Sequence, residues 1–212
     1  MSPEAILREE IVELGQLLAY LGLSHGSTGN ISARLDDGWL LTPTNSRLGR
    51  LDPARIAKLD DQGRHLDGDK PSKEAFLHRC VYEMRPSDRA IVHLHSTHSV
   101  AVSCLDRLDE ADCMPPLTAY YVMRVGRLPL VPYFPPGDER LAAAVRELAV
   151  NHASVLLANH GPVVAGKSLD GAAGAIEELE ATAKIFLLLQ DRATRPLSEN
   201  DVEELERRFP KS

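Results

Sequence analysis

His93-Leu94-His95 and His160 are the residues whose types and spacing best suit chemistry. On a strand, side chains two apart share a face, so the imidazoles of His93 and His95 would converge while Leu94 turns to the opposite side. Neutral imidazole is the commonest metal ligand near neutral pH. Such a pair also occurs as half-exposed strand residues that hold no ion. His160, in Asn159-His160-Gly161-Pro162, ends an apolar run at a sharp turn. That is a sheet rim, where loops build sites; a turn histidine bonded to the backbone would explain it as well.

Three further segments are rich in donors. Lys70-Pro71-Ser72-Lys73-Glu74 is expected in the first turn of a helix, where free N–H groups and the dipole attract anions. Ser72 adds a hydroxyl, Lys73 a cation and Glu74 a carboxylate at the edge. The same residues also read as a helix cap, with Lys73 facing solvent. Gly26 to Ser32 is a Gly-rich turn that would let backbone N–H groups approach a phosphate. Thr42 to Arg47 clusters hydroxyl and amide donors on a loop. Three histidines and one carboxylate make a catalytic type of metal site with a position open to substrate, and three donor-rich loops suit one phosphate.

The elements that must carry these residues follow from periodicity. Residues 4–22 repeat apolar side chains at helical spacing. Strands are expected in the segment after Gly29, in GWLLTPT, in RIAKLD and in DRAIVHLH; SVLLANHGPVVAG reads as two strands about a turn. Helices are expected in KPSKEAFLHRCVYEMRP with Ser72 as N-cap, in STHSVAVSCL, in ERLAAAVRELAVNH and in the long segment 170–190, with a short acidic helix or tail at 191–212. The Pro-punctuated stretch from Pro116 to Asp138 reads as short strands and turns. Trp39, Cys80 and Cys104 are expected in the core. His98, just past His95, reads either as a partner of the ligating histidines or, in preference, as a helix-start residue, and His25, His65, His78 and His152 read as surface or helix positions. The irregular alternation suggests a layered α/β or α+β domain around a mixed or mainly antiparallel sheet, one domain over 1–212.

Composition narrows the class. The 212 residues carry a net charge of −7, which argues against non-specific nucleic-acid binding. Three cysteines without CxxC spacing point to reduced thiols. Met1 to Glu10 has no apolar core of a signal peptide, and no run reaches the roughly 20 apolar residues of a membrane span. The expectation is a soluble, cytoplasmic protein with no membrane or nucleic-acid partner.

In their order, GSTGNIS, LLTPTNS, KPSKE, AIVHLHSTHSVAV and LLANHGPVV resemble the class II aldolase/adducin family, from about Leu7 to Gln190. The resemblance implies a three-layer α/β/α sandwich around a mixed, mainly antiparallel sheet, assembled as a homotetramer. It implies zinc, or another divalent metal such as Mn2+ or Co2+, on His93, His95 and His160, with Glu74 as acid/base carboxylate and additional ligand. Gly29, Asn30, Thr44, Asn45 and Ser72 fall on its phosphate-binding loops, with Lys73 as counter-charge where the family's aldolases have a small hydroxyl residue. Tyr133 matches a tyrosine that aldolases place near the neighbouring subunit's site.

The segments GDKPSKE, PPLTAYYVMRVGRLPLVPYFPPGD and EELEATAK resemble most the 3-oxo-tetronate 4-phosphate decarboxylase branch. The implied reaction is loss of CO2 from a phosphorylated sugar acid through the enediolate of dihydroxyacetone phosphate. The alternatives are cleavage of a ketose 1-phosphate such as L-fuculose 1-phosphate, epimerisation or dehydration at the same centre, and an inactive adducin-like interaction module. Retention of all three histidines and the carboxylate weighs against the last.

Overall fold

The computed structural model of the chain describes residues 1–135 and 137–210. Helix α1 (Pro3–Tyr20) opens with Ser2 accepting from the Ala5 N–H and Pro3 in the first turn, and Gly22 (φ 75°) lets the chain turn away. Strands β1 (Asn30–Leu35), β2 (Gly38–Leu41), β3 (Ala57–Leu59) and β4 (His65–Asp67) follow, then α2 (Ala75–Met84), β5 (Ala90–His93) and α3 (Thr97–Ser103). Next come α4 (Ala119–Arg124), β6 (Leu130–Val131), α5 (Arg140–Ala149), β7 (Ser154–Leu157), β8 (Gly161–Gly166), α6 (Leu169–Leu188) and α7 (Glu199–Arg208).

The strands form one sheet in the order β4-β3-β2-β1-β5-β8-β7-β6. Its neighbours are antiparallel except for β6 and β7. Alternation sends successive side chains to opposite cores. Ile31, Val92 and Leu94 pack with Ile11, Leu18, Ile176 and Leu179 beneath α1 and α6. Trp39, Ile91 and Val163 pack with Leu77, Val81 and Val145 beneath α2 and α5. Because both faces are covered, β5, β7 and β8 are apolar along most of their length, whereas β1 alternates polar Asn30, Ser32 and Arg34 with apolar residues. This is an α/β/α sandwich on a mainly antiparallel sheet.

Several local expectations are corrected. α2 begins at Ala75, so Ser72 to Glu74 precede it: the Ser72 N–H donates to the Thr42 carbonyl and Pro71 bridges Pro43, holding this stretch extended against the loop after β2. β5 ends at His93, so His95 lies just beyond the strand. Thr118 caps a helix, α4, in the stretch read as short strands and turns. Cys104 is exposed because α3 ends at Ser103, one residue earlier, whereas Cys80 is buried. His78 is fully buried on the inner face of α2. Trp39 is core, as expected, and its indole N–H donates to the Asp60 carbonyl. Among the described residues, no helix is long and apolar enough to cross a membrane.

Candidate metal centre and its surroundings

β5 and β8 run side by side with His93 opposite Val163, and β1 flanks β5 with Asn30 opposite His93. His93 therefore ends a central strand. His95 follows where the chain leaves the sheet, and His160 sits at the hairpin joining β7 to β8. The turn is tight: Asn159 has φ 55° and Gly161 has φ 145°. A Cβ on Gly161 would lie 2.3 Å from the Leu94 carbonyl oxygen, so only glycine lets the two histidine-bearing segments approach.

One donor atom from each of Glu74, His93, His95 and His160 lies within 4.8 Å of the others. The His160 Nε2 atom is 3.0 Å from His95 Nε2 and 3.3 Å from His93 Nε2. The Glu74 oxygens are 3.3 Å from His160 Nε2 and 3.5 Å from His93 Nε2. His93 Nδ1 is 2.8 Å from the Pro162 carbonyl, which can only accept, so Nδ1 carries the proton and Nε2 presents its lone pair. Lone pairs and a carboxylate crowded onto one point repel unless a cation lies among them. The donor set therefore fits a divalent metal on nitrogen and oxygen ligands.

The charges agree with a site of this kind. Burial, together with the neighbouring His93 and His160, pushes the His95 imidazole down to about 3. Burial would raise the Glu74 carboxyl, but the His93 and His160 imidazoles beside it and the hydrogen bond from the Asn30 amide outweigh it and hold it below the ordinary carboxylate value.

α3 begins two residues past His95, and its N-terminal N–H groups are closed from across the fold. Buried Glu180 of α6 accepts from the N–H groups of His98 and Ser99 and from the Ser99 hydroxyl; the His98 ring lies 2.8 Å from the same carboxylate. Ser96, the N-cap by position, makes no such bond with its side chain. Glu180 lies in a helix of ordinary amphipathic appearance, and no sequence signal marked it.

The donor-rich loops converge as well. The Thr44 N–H donates to the Lys70 carbonyl, and the Asn30 amide reaches the Ser72 hydroxyl at 3.2 Å. Gly29 (φ 79°) packs against the His93 carbonyl, where a Cβ would come within 2.8 Å. Asn45 (φ 57°) and Lys73 stay exposed beside this cradle. Asn30 is nearly buried: one amide hydrogen goes to Glu74 at 2.6 Å, the other to Ser72, and its carbonyl faces His78. Its side chain is thus committed to the carboxylate. Tyr133 is 59% exposed on the segment after β6 and, among the described residues, forms no hydrogen bond to the four donors.

Residues 9–187 match the Class II Aldolase and Adducin N-terminal domain. A 3-oxo-tetronate 4-phosphate decarboxylase of Pectobacterium atrosepticum is 50% identical over 97% of this chain and 94% of its own length. An L-fuculose phosphate aldolase of Escherichia coli K12 is 32% identical over 85% of this chain and 82% of its own. Among solved structures, the crystal structure of YgbL from Escherichia coli superposes with a TM-score of 0.94 at 47% identity, covering 96% of this chain and 99% of that one. By fold, site geometry and sequence, the chain belongs to the class II aldolase and adducin family.

Proposed function

We propose that the chain is a metal-dependent lyase that decarboxylates 3-oxo-tetronate 4-phosphate to dihydroxyacetone phosphate and CO2. The observation that carries this reading is 50% identity to 3-oxo-tetronate 4-phosphate decarboxylase over nearly the whole of both chains. The convergence of Glu74, His93, His95 and His160 supports it. The family-wide match from residue 9 to 187 supports one domain over 1–212.

His93, His95, His160 and Glu74 would hold the metal, zinc or else Mn2+ or Co2+. When bound, it supplies Lewis-acid stabilisation of the negative charge that builds on the substrate's oxygens. The substrate is a β-keto acid: as the bond between C1 and C2 breaks, CO2 leaves and the electron pair passes into an enediolate across C2 and C3. Protonation at C2 then gives the ketone, and the net reaction takes up one proton. Glu74, with 20% of its side chain exposed, collects that proton from solvent and delivers it to C2. Gly29, Thr44, Asn45 and Ser72 grip the phosphate, with Lys73 as counter-charge, so remote binding holds the breaking bond in place. Asn30 serves through the carboxylate that it orients.

Tyr133, exposed in its own chain, acts at the site of a neighbouring copy. Self-association is supported by apolar side chains left at the surface, Tyr20 at 88% and Leu188 at 67% exposure. We read the assembly as a homotetramer in the cytoplasm. The second reading, cleavage of a ketose 1-phosphate, is supported by the L-fuculose phosphate aldolase relative. It would use the same enediolate.

The test is formation of dihydroxyacetone phosphate from synthetic 3-oxo-tetronate 4-phosphate, read with a coupled dehydrogenase. Turnover that chelator abolishes and that Glu74→Gln reduces at least about a hundredfold is expected. Turnover of L-fuculose 1-phosphate instead, by the same metal-loaded protein, would move the chain to the aldolase reading.

A further inference from the structure

A row of buried polar side chains runs from the candidate site into the apolar core under α2. The Asn30 amide donates to Glu74 at 2.6 Å. The Asn30 carbonyl oxygen is 2.5 Å from His78 Nε2, His78 Nδ1 is 2.7 Å from the Ser32 hydroxyl, and Ser32 is 2.8 Å from the Tyr82 hydroxyl. Arg34 closes the row, its guanidinium 4.5 Å above the Tyr82 ring and donating to the Tyr82 carbonyl.

The row is built from two matched repeats. Glu74, His78 and Tyr82 recur every four residues at the head of and along α2, while Asn30, Ser32 and Arg34 recur every two along β1. Four helical residues rise about 6 Å and two strand residues about 6.6 Å, so the two sets interleave in step. Trp39 lies parallel to the His78 ring, at 4° between planes and 6.5 Å between centroids.

The proton positions follow from one end. A carboxylate only accepts, so the Asn30 nitrogen must face Glu74 and its oxygen must face His78. His78 Nε2 must then donate. Burial keeps the ring neutral, pushed down to about 3, so Nδ1 accepts from Ser32, and Ser32 accepts from Tyr82. Every donor in the row points toward Glu74. Without His78 the buried Asn30 oxygen would lose its donor, and only the bonds to Glu74 and Ser72 would be left to hold the amide.

We propose that His78 is a positioning residue for the reaction, locking the Asn30 amide so that its N–H holds Glu74 at one orientation. The inference rests on Glu74 as the proton-transfer group. It gives a function to a histidine whose imidazole touches neither substrate nor the side chain of a metal ligand, and it accounts for a polar row that an apolar core would otherwise not carry.

The experiment compares His78→Gln, which keeps one donor and one acceptor, with His78→Phe, which keeps neither, and with Glu74→Gln. Expected is a fall in kcat of about 10- to 100-fold for His78→Phe with KM and metal content close to wild type, and substantial rescue in His78→Gln. A folded, metal-replete His78→Phe enzyme with wild-type kcat, beside an inactive Glu74→Gln, overturns the role of His78 alone. An active Glu74→Gln overturns the reading of Glu74 itself. Nitrogen NMR of the wild-type imidazole decides the point even if His78→Phe does not fold. A slowly exchanging Nε2–H with an unprotonated Nδ1 is expected, and the opposite tautomer overturns the proposal.

Discussion

Glu180 on α6 closes the N-terminus of α3 at Ser99, its carboxylate accepting from both the Ser99 N–H and the Ser99 hydroxyl. A helix cap supplied by a distant helix ties the loop after His95 to the rest of the fold. Glu180→Gln leaves an amide N–H₂ facing backbone donors. Losing charge-assisted bonds to buried donors costs about 2–3 kcal/mol, a fall in Tm of roughly 4–12 °C for a chain of this size. Thermal unfolding by circular dichroism checks it; an unchanged Tm would show that the cap contributes nothing.

An ion held by Glu74, His93, His95 and His160 binds only the folded chain, so it stabilises by mass action. At a hundred times its dissociation constant the gain is about 2.7 kcal/mol. Adding a chelator should lower Tm by several degrees, and restoring zinc, Mn2+ or Co2+ should recover it. The same treatment should do nothing to His160→Ala. Differential scanning calorimetry on both proteins decides the matter.

Gly161→Ala forces a Cβ toward the Leu94 carbonyl oxygen at a backbone angle that alanine avoids. The hairpin must open, and His160 moves away from His95. A loss of roughly 3 kcal/mol or more is expected, together with metal affinity at least about tenfold weaker. Isothermal titration with zinc and a denaturant melt are the measurements; wild-type values in both would remove the steric argument.

Acid should destabilise the metal-free protein through His78. Unfolded, this imidazole takes a proton below about 6.5; folded, burial refuses it until about 3. The unfolded state binds more protons across that window, so stability is full above pH 6.5 and is lost as pH falls, by up to about 1.4 kcal/mol per unit. Melts in chelator from pH 7 to 4.5 should show a steep fall in wild type and a shallower one in His78→Gln. Parallel curves would place the acid sensitivity elsewhere, with His95, also pushed down to about 3, as the first candidate.

The candidate site was more legible in the sequence than its supports. His93 and His95 were marked by their spacing, His160 by a turn and Glu74 by a helix start, although the helix begins one residue after Glu74 and the strand ends before His95. Glu180 and His78 were not marked, because their partners lie 81 and 48 residues away and no local pattern announces a long-range hydrogen bond. The four-residue and two-residue repeats that interleave Glu74, His78 and Tyr82 with Asn30 and Ser32 were visible, but each alone is only an amphipathic face. The helix at Ala119–Arg124 was obscured by the prolines around it, and Thr118 was the missed cap.

The strand order β1-β5-β8 sets when the site can exist. His93 and His160 are neighbours in space yet 67 residues apart in the chain, and Asn30 joins them from the opposite side of β5. Contacts of such high sequence separation form late in folding, after most of the loop-closure entropy has been spent. The donor set cannot template its own assembly. An ion there would leave the folding rate nearly untouched and would slow unfolding, acting as a latch fastened after the door has shut.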